Sequence, residues 1–213
     1  MNGITFGTYH SYADLELILS SKTIGAPSVK TETVEVPGMD GVLDFTEFFG
    51  EPKFNNRTLT FEFVSIKAWS SQLTQDLTIK NALHGKKMKI VLDDNPNFYF
   101  YGRISVGDWT SDKNIAMLTI TCDCDPWRYK TTETTVTQSI TDSGTVTLSN
   151  QRQSVVPRIS TDGAITIAWT GGSASLAAGN DQIIAALVIG RGNTTLTITG
   201  TATVTFKYQE GGL

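Results

Sequence analysis

Two histidines are the only imidazole bases that this 213-residue sequence offers for catalysis. A serine or cysteine nucleophile usually needs such a base within hydrogen-bond reach. His84 ends an apolar stretch with helical spacing, where an imidazole complements the helix dipole, and His10 is expected in an N-terminal arm. The segment 171–175 begins like a nucleophile elbow but ends in Ser where Gly is required. We therefore predict no catalytic residues and no enzymatic activity.

Residues 122–125 alternate two cysteines with two aspartates, and thiolates and carboxylates can ligate metal ions. A zinc site uses cysteines two to four residues apart, with a second such pair elsewhere, and the sequence has no further cysteine. On a strand, alternation directs Cys122 and Cys124 to one face and Asp123 and Asp125 to the other. We predict buried, reduced cysteines opposite exposed acids, with no metal and no cofactor.

The charge balance argues against nucleic acid as the main partner. The formal net charge is −4 and the isoelectric point is near 5.2, so no global basic field attracts phosphates. The basic run 86–89 has no interleaved aromatic residues for base stacking, which favours a solvated strand edge. We predict no direct nucleic-acid recognition.

The first twelve residues lack a basic segment followed by an apolar one, so we expect no secretory signal and folding in a cytoplasm. The longest apolar run, 183–189, is far shorter than the roughly 20 residues of a membrane-spanning helix, and we expect no membrane insertion. Hydrophobic residues make up 39% and charged residues 18%, a composition typical of a folded globular protein.

A composition break near residue 130 predicts two domains, 1–130 and 131–213. Twenty-nine of the 38 charged residues and 17 of the 20 aromatic residues precede it, whereas 18 threonines follow it. Threonine is β-branched and suits strands whose outer face meets water. The second half repeatedly alternates threonine with apolar residues between turn signals, which predicts a β-sandwich. Residues 183–189 would be its doubly buried central strand.

The first half is also rich in alternating, strand-like segments, with one exception. From Ser70 to His84, Leu73, Leu77, Ile79 and Leu83 follow helical spacing, Ser70 or Ser71 can cap the start, and Gly85 can end the helix. Strand segments 88–92 and 98–106 are joined by turn-forming residues, which predicts a hairpin. We expect one amphipathic helix packed on a sheet.

Five short segments follow one another in a characteristic order between residues 12 and 130. They are Val36-Pro37-Gly38-Met39-Asp40-Gly41-Val42-Leu43-Asp44, Phe49-Gly50 with Arg57 to Phe63, Asn81 to Gly85, Leu92 to Arg103, and Cys124-Asp125-Pro126-Trp127. In this order and spacing the first half resembles the N-terminal domain of the distal tail protein (Dit) family of siphophages and related prophages. Met39 departs from that pattern, because the family has a charged residue after the first glycine of the loop.

The second half is also similar to the family. Leu187 to Asn193 followed by Leu196-Thr197-Ile198 resembles late strands of its galectin-like C-terminal sandwich. The resemblance implies a mainly β fold, with a β-sandwich or split-barrel-like N-terminal domain that carries one α-helix and a protruding hairpin. It also implies a hexameric ring at the virion tail tip, assembled in the host cytoplasm. The implied partners are the tail tube protein, the tape-measure protein, and the tail-associated lysin or receptor-binding and baseplate proteins.

Two exposed-looking segments are the candidate ring interface. They comprise Val36, Pro37, Gly38, Asp40 and Gly41 in a turn, and Phe98, Tyr99, Phe100 and Tyr101 in a hairpin. Tyrosine and phenylalanine are favoured at interface cores, but alternate members of the aromatic run could equally fill the domain's own core on both faces. Cys124, Asp125, Pro126 and Trp127 are expected to be structural.

A carbohydrate-binding module or adhesin is the alternative function. Trp169 in a sandwich strand could stack on a sugar ring, although an isolated tryptophan is more often part of a core and a sugar site normally has a second aromatic residue. A hydrolase is the third class, and the sequence shows no assembled site for it.

Overall fold

The computed structural model describes residues 3–48, 50–65, 72–112 and 115–213. The chain divides into two compact units, Met1–Arg128 with Leu213, and Tyr129–Gly212. In the residues that the structure describes, the first unit contains one helix and a series of antiparallel strands. Their bounds are β1 Ile4–Phe6, β2 Tyr9–His10, β3 Leu17–Ile24, β4 Thr33–Val34, β5 Leu43–Asp44, β6 Arg57–Ser65, α1 Gln72–Leu83, β7 Lys87–Leu92, β8 Phe98–Asp112 and β9 Ile115–Cys124.

The main sheet of the first unit is strongly curled. Its strand order is β2-β1-β7-β8-β9-β6-β3. Strands β1 and β6 are four steps apart in this order, which would be roughly 19 Å in a flat sheet. Yet Phe6 on β1 packs edge to face on Phe61 of β6, with ring centroids 5.9 Å apart. The sheet therefore folds over its own core, as the split-barrel-like prediction requires.

Strict alternation on β6 and β9 supplies that core. Leu59, Phe61 and Phe63 are fully buried, and the intervening Thr58 and Glu62 are exposed. Their neighbours on β9 are also buried: Leu118, Ile120, Cys122 and Cys124. Full burial of an apolar side chain of this size contributes about 1.5–3 kcal/mol.

Helix α1 packs on this core with only part of the predicted face. Ile79 and Leu83 are buried as predicted, together with Ala82 and Gln75, whereas Leu77 is 57% exposed. Gln75 is tolerated there because its amide donates to Leu15 O (2.8 Å) and accepts from Ser65 Oγ (2.7 Å). The predicted caps Ser70 and Ser71 lie outside the described residues. Within the described part of the chain, no helix has the length and hydropathy needed to cross a membrane.

The second unit is a two-layer sandwich. Its strands are β10 Arg128–Lys130, β11 Thr134–Ile140, β12 Ser143–Asn150, β13 Arg158–Thr161, β14 Ile165–Trp169, β15 Gly172–Leu176, β16 Gly179–Ile183, β17 Gly192–Gly200, β18 Ala202–Tyr208 and β19 Gly211–Gly212. Two four-stranded sheets, β11-β18-β13-β16 and β12-β17-β14-β15, enclose one apolar core. The predicted fold class, mainly β with antiparallel sandwich sheets and one helix, is confirmed.

The prediction of one central strand over residues 183–189 was wrong. Ile183 ends the edge strand β16 and is 65% exposed. The chain then turns, with Leu187 N–H donating to Ile184 O (3.0 Å). Leu187 and Ile189 point into the core, whereas Val188 is half exposed. Two small alanines at 185 and 186 form this turn, so an unbroken apolar run does not imply an unbroken strand.

Candidate interaction surface

The feature of this chain that is best suited to binding a partner is a long excursion between β3 and β6, which we call the arm (residues 26–48 and 50–55). At the base of the arm, the backbone N–H of Gly25 donates a hydrogen bond to Thr58 O (2.9 Å). Further along the arm, the backbone N–H of Lys30 donates to Lys53 O (2.8 Å). Strands β4 and β5 pair near its end.

The tip of the arm is the turn predicted at residues 36–41. Met39 N–H donates to Val36 O (3.1 Å), and Gly38 and Gly41 have φ of +85° and +79°. A Cβ at either glycine would meet no atom within 4 Å, so these positions require glycine for backbone conformation and not for space. Val36 and Met39 are both exposed. The tip therefore presents apolar side chains in a fixed, open turn.

The arm exposes an unusual number of large apolar side chains. Eight of the seventeen such residues in the described part of the chain lie on it: Val29, Val34, Val36, Met39, Val42, Leu43, Phe45 and Phe48. Phe48 is 70% exposed and packs edge to face on Phe45, with ring centroids 5.9 Å apart. Clustered exposure of this kind marks an interaction surface more often than single exposed residues do.

An open cleft of about 450 Å³ runs between the two sides of the arm. Its lining comprises Lys30, Glu32, Thr33, Val34, Phe45, Thr46, Glu51 and Lys53. Val34 and Phe45 form the apolar part of this lining, and two lysines and two glutamates form its charged part. A smaller cleft beside Val29 and Pro52 opens on the same segment. The arm therefore has concave as well as protruding apolar surface.

The arm is also strongly acidic. Residues 26–55 contain six carboxylates and two lysines, a formal charge of −4 that equals the charge of the whole chain. Near the turn of β5, hydrogen bonds from the Thr46 side chain and then its backbone N–H (2.9 Å) hold the pKa of Asp44 below its usual value. The remaining residues of the protein balance to zero, so its electrostatic asymmetry lies in this one segment.

The aromatic run 98–101, the other half of the predicted interface, packs within its own unit. Tyr99 and Phe100 are 8% and 4% exposed, and Phe100 belongs to the core. A cation covers each ring at 4.5–5.3 Å from the centroid: Arg128 on Phe98, Lys89 on Tyr99, Arg57 on Phe100 and Lys87 on Tyr101. Alternate rings fill both faces, which is the intrachain arrangement that the sequence left open.

The loop of that hairpin is fastened to the start of the chain. Asp93 Oδ2 accepts from Gly3 N (2.7 Å) and lies 3.0 Å from His10 Nε2, and Asp94 pairs with Lys22. Burial raises the pKa of Asp93, but the hydrogen bonds from His10 and Gly3 outweigh it and hold that pKa below its usual value. The projecting segment of this unit is therefore the arm and not this loop.

Residues 124–127 are held within the first unit by contacts of their side chains and backbone. Asp125 bonds Lys87 Nζ (2.8 Å), Pro126 O accepts from the buried Arg57, and Trp127 packs on Phe54 at 5.6 Å. Cys124 is buried against Gly102, where an added Cβ would lie 2.4 Å from its Sγ. Burial raises the pKa of the Cys124 thiol to about 12, and burial likewise raises the pKa of Cys122. Both cysteines are free.

Both histidine rings accept hydrogen bonds from backbone N–H groups. His10 Nδ1 accepts from the backbone N–H of Tyr12 and Ala13, and its Nε2 contacts Asp93. His84 Nδ1 accepts from Val106 N (3.1 Å), so it ties the end of α1 to β8 in addition to its expected place at the helix terminus. Among the described residues, no three His, Cys, Asp or Glu side chains are grouped to hold a metal ion.

Trp169, the candidate sugar contact, is half-buried at the end of β14 and packs against the sandwich core. A Cβ at Gly172 would lie 2.9 Å from its ring, so the facing strand closes over it. The other aromatic residues of this unit are Tyr129, which is half-buried, and Phe206 and Tyr208, which are buried.

Sequence reasoning found the tip of the arm but missed most of its apolar surface. The alternation from Val29 to Val36 is typical of a half-buried strand, yet Val29, Val34 and Val36 are all exposed. Phe45 and Phe48 belong to none of the predicted segments. The density of acidic residues from 32 to 51 was the available signal, because a strand with a carboxylate at so many positions has little surface left to bury.

Comparison with known proteins places this fold. No protein-family model matches the sequence, and no curated protein matches it. Among solved structures, the chain is similar to SPP1 Dit (gp 19.1), described as a paradigm of the hub adsorption apparatus in phages that infect Gram-positive bacteria. The TM-score is 0.74 and the sequence identity 16%, over 100% of both chains. The chain has the fold of a phage distal tail protein from end to end.

Proposed function

We propose that this chain is a structural, non-catalytic distal tail protein of a siphophage or prophage, located at the virion tail tip. In this role six copies form a ring that connects the tail tube to the host-adsorption apparatus. Residues 1–130 form the ring and residues 131–213 form a β-sandwich domain. The neighbours in the assembly are the tail tube and tape-measure proteins on one side, and a tail-associated lysin or receptor-binding and baseplate proteins on the other.

The arm is the observation that carries this proposal. A monomer that exposes eight large apolar side chains on one excursion leaves a surface that water solvates poorly. Burying it against further copies in a closed ring gives every copy the same environment. The likeness in fold to a phage hub protein over the whole chain supports the same role.

Native mass spectrometry and negative-stain electron microscopy of the full chain test the proposal. We expect a hexamer with annular particles at micromolar concentration. A sample that stays monomeric at every concentration tested, without annuli, would contradict the proposal.

A matched pair of variants identifies the surface. Val34→Ser, Leu43→Ser and Phe45→Ser together remove exposed apolar groups from the arm and should yield monomers. Val156→Ser, Ile183→Ser and Val188→Ser together remove the same kind of exposed group from the second unit and should leave the ring intact. Circular dichroism should show both variants folded.

A further inference from the structure

We propose that the acidic arm of one copy docks on a basic face of strands β7 and β8 of the next copy, so that one head-to-tail contact repeats around the ring. This inference rests on the proposed ring. The basic face, which we call the lysine face, consists of Lys87, Lys89, Tyr99, Tyr101 and Arg103. The proposed ring by itself does not specify which surface receives the arm, and we assign that role to the lysine face.

Strand pairing assembles the lysine face from residues distant in sequence. Lys87 lies opposite Arg103 and Lys89 opposite Tyr101 on adjacent strands. Lys87 Nζ and Lys89 Nζ lie 4.9 Å and 4.5 Å from the ring centroids of Tyr101 and Tyr99. The tyrosine rings hold the lysine stems against the sheet and keep the ammonium groups near fixed positions.

Its own chain neutralises the cations of this face only in part, although Asp123 lies opposite Arg103 on β9. Lys87 pairs with Asp125 (2.8 Å), whereas Lys89 and Arg103 have no carboxylate partner in the part of the chain that the structure describes. Arg103 contacts a backbone carbonyl, Gly85 O (2.6 Å). Lys87, Lys89 and Arg103 are all exposed. The face is therefore open to an acidic partner.

Charge decides which surface the arm can meet. Two arms placed against each other would oppose six carboxylates to six, with two lysines each in compensation. The arm and the lysine face carry opposite charge and both contain exposed or half-exposed apolar surface, so their potentials are complementary. A contact between two different surfaces is heterologous, and heterologous contacts build rings and not two-fold dimers.

A second surface on the same sheet is the alternative docking site for the arm. Ile18, Val64 and Met117 lie side by side across β3, β6 and β9, and Met117 is 44% exposed. This row is uncharged. Docking of the arm there would be insensitive to salt and to substitutions of lysine, which separates it from the lysine face.

Charge reversal of each surface tests the inference. Glu35→Lys with Asp40→Lys reverses the arm tip, and Lys89→Glu with Arg103→Glu reverses the face. We expect each double variant to raise the concentration needed for half-assembly by about tenfold or more. Mixing the two variants should restore rings, with the two chains alternating, and a chain carrying all four substitutions should form rings alone. Raising NaCl from about 0.05 M to 0.5 M should weaken assembly of the unmodified protein.

A control and two contrary outcomes complete the test. Arg191→Glu with Lys207→Glu makes the same change of net charge in the second unit and should leave assembly unchanged. If the reversed face still assembles like the unmodified protein, the lysine face is not the acceptor, although the ring proposal stands. If the unmodified protein forms no ring, the inference and the proposed function both fail.

Discussion

The arm and the C-terminal sandwich are both built from short antiparallel strands, yet they place their apolar residues in opposite environments. Fourteen residues of the sandwich form one buried core, and its outer strand positions are mostly threonine and serine. The arm pairs its strands over a few residues and leaves eight large apolar side chains exposed. Hydrogen bonding between strands therefore does not by itself bury apolar surface.

A second sheet makes the difference. In the sandwich, Ile167 and Phe206 lie on different sheets and are both fully covered. The arm is a single paired ribbon, and a two-stranded hairpin has no second layer to pack against. What covers the arm must come from beyond it, which is why it is the candidate interaction surface.

Truncating one aromatic ring in each region should give the largest contrast. Phe206→Ala removes a fully buried ring from the central strand β18 and should cost about 4 kcal/mol of unfolding free energy. Phe45→Ala on the arm, where the ring is 40% exposed, should cost less than about 0.5 kcal/mol in the monomer. Urea denaturation followed by circular dichroism measures both; similar losses would mean that the arm has a core of its own.

Glycines provide the next contrast. At Gly102 an added Cβ would lie 2.4 Å from Cys124 Sγ and 2.6 Å from Asp123 O, so Gly102→Ala should cost about 1–3 kcal/mol through overpacking. At Gly41 the space is open and only positive φ is required, so Gly41→Ala should strain the tip without lowering the stability of the sheet. Thermal unfolding of the two variants separates steric from conformational causes, and equal losses would contradict this distinction.

Acid should distinguish the fastened hairpin loop from the arm. Because the folded-state pKa of Asp93 is lowered, its contribution is complete above its usual value of about 3.9 and is lost as pH falls through the folded value. Asp93→Asn should lower stability by about 1 kcal/mol at pH 7 and make no difference near pH 2. Asp44→Asn, on the arm, should lower the melting temperature at pH 7 by less than Asp93→Asn does, because its carboxylate is fully exposed to solvent. A constant effect of Asp93→Asn across pH would show that its hydrogen bonds, and not its charge, matter.

The smallest effect is expected on the outer face of the sandwich. Thr147 and Thr195 face each other across β12 and β17 and are exposed. Thr195→Lys should change the unfolding free energy by less than about 0.5 kcal/mol and leave assembly intact. Loss of the ring in this variant, seen by native mass spectrometry, would mean that the second unit also contributes to the contact.

Much of the fold was predictable because its cause is local. Alternation over Leu59 to Phe63 and the turn residues 93–97 predicted strands and a hairpin that the structure contains. The helix was also predicted, with Ile79 and Leu83 correctly on its buried side. The burial of Gln75 was not predicted, because it depends on Leu15 and Ser65, which lie elsewhere in sequence. The prediction of a strand over residues 183–189 was wrong because a turn of two alanines has no distinctive sequence pattern.

The sequence by itself determined the β-rich class, the composition break near residue 130, the glycine turn at the tip and the excess of acid around it, because these depend on residue type and near neighbours. Only the tertiary structure decided which apolar residues are covered. Alternation shows that side chains point to opposite sides of a strand, but not whether a second layer covers either side. Val34 and Phe45 became an exposed surface, and Tyr99 and Phe100 became buried ones, through packing that spans the whole unit.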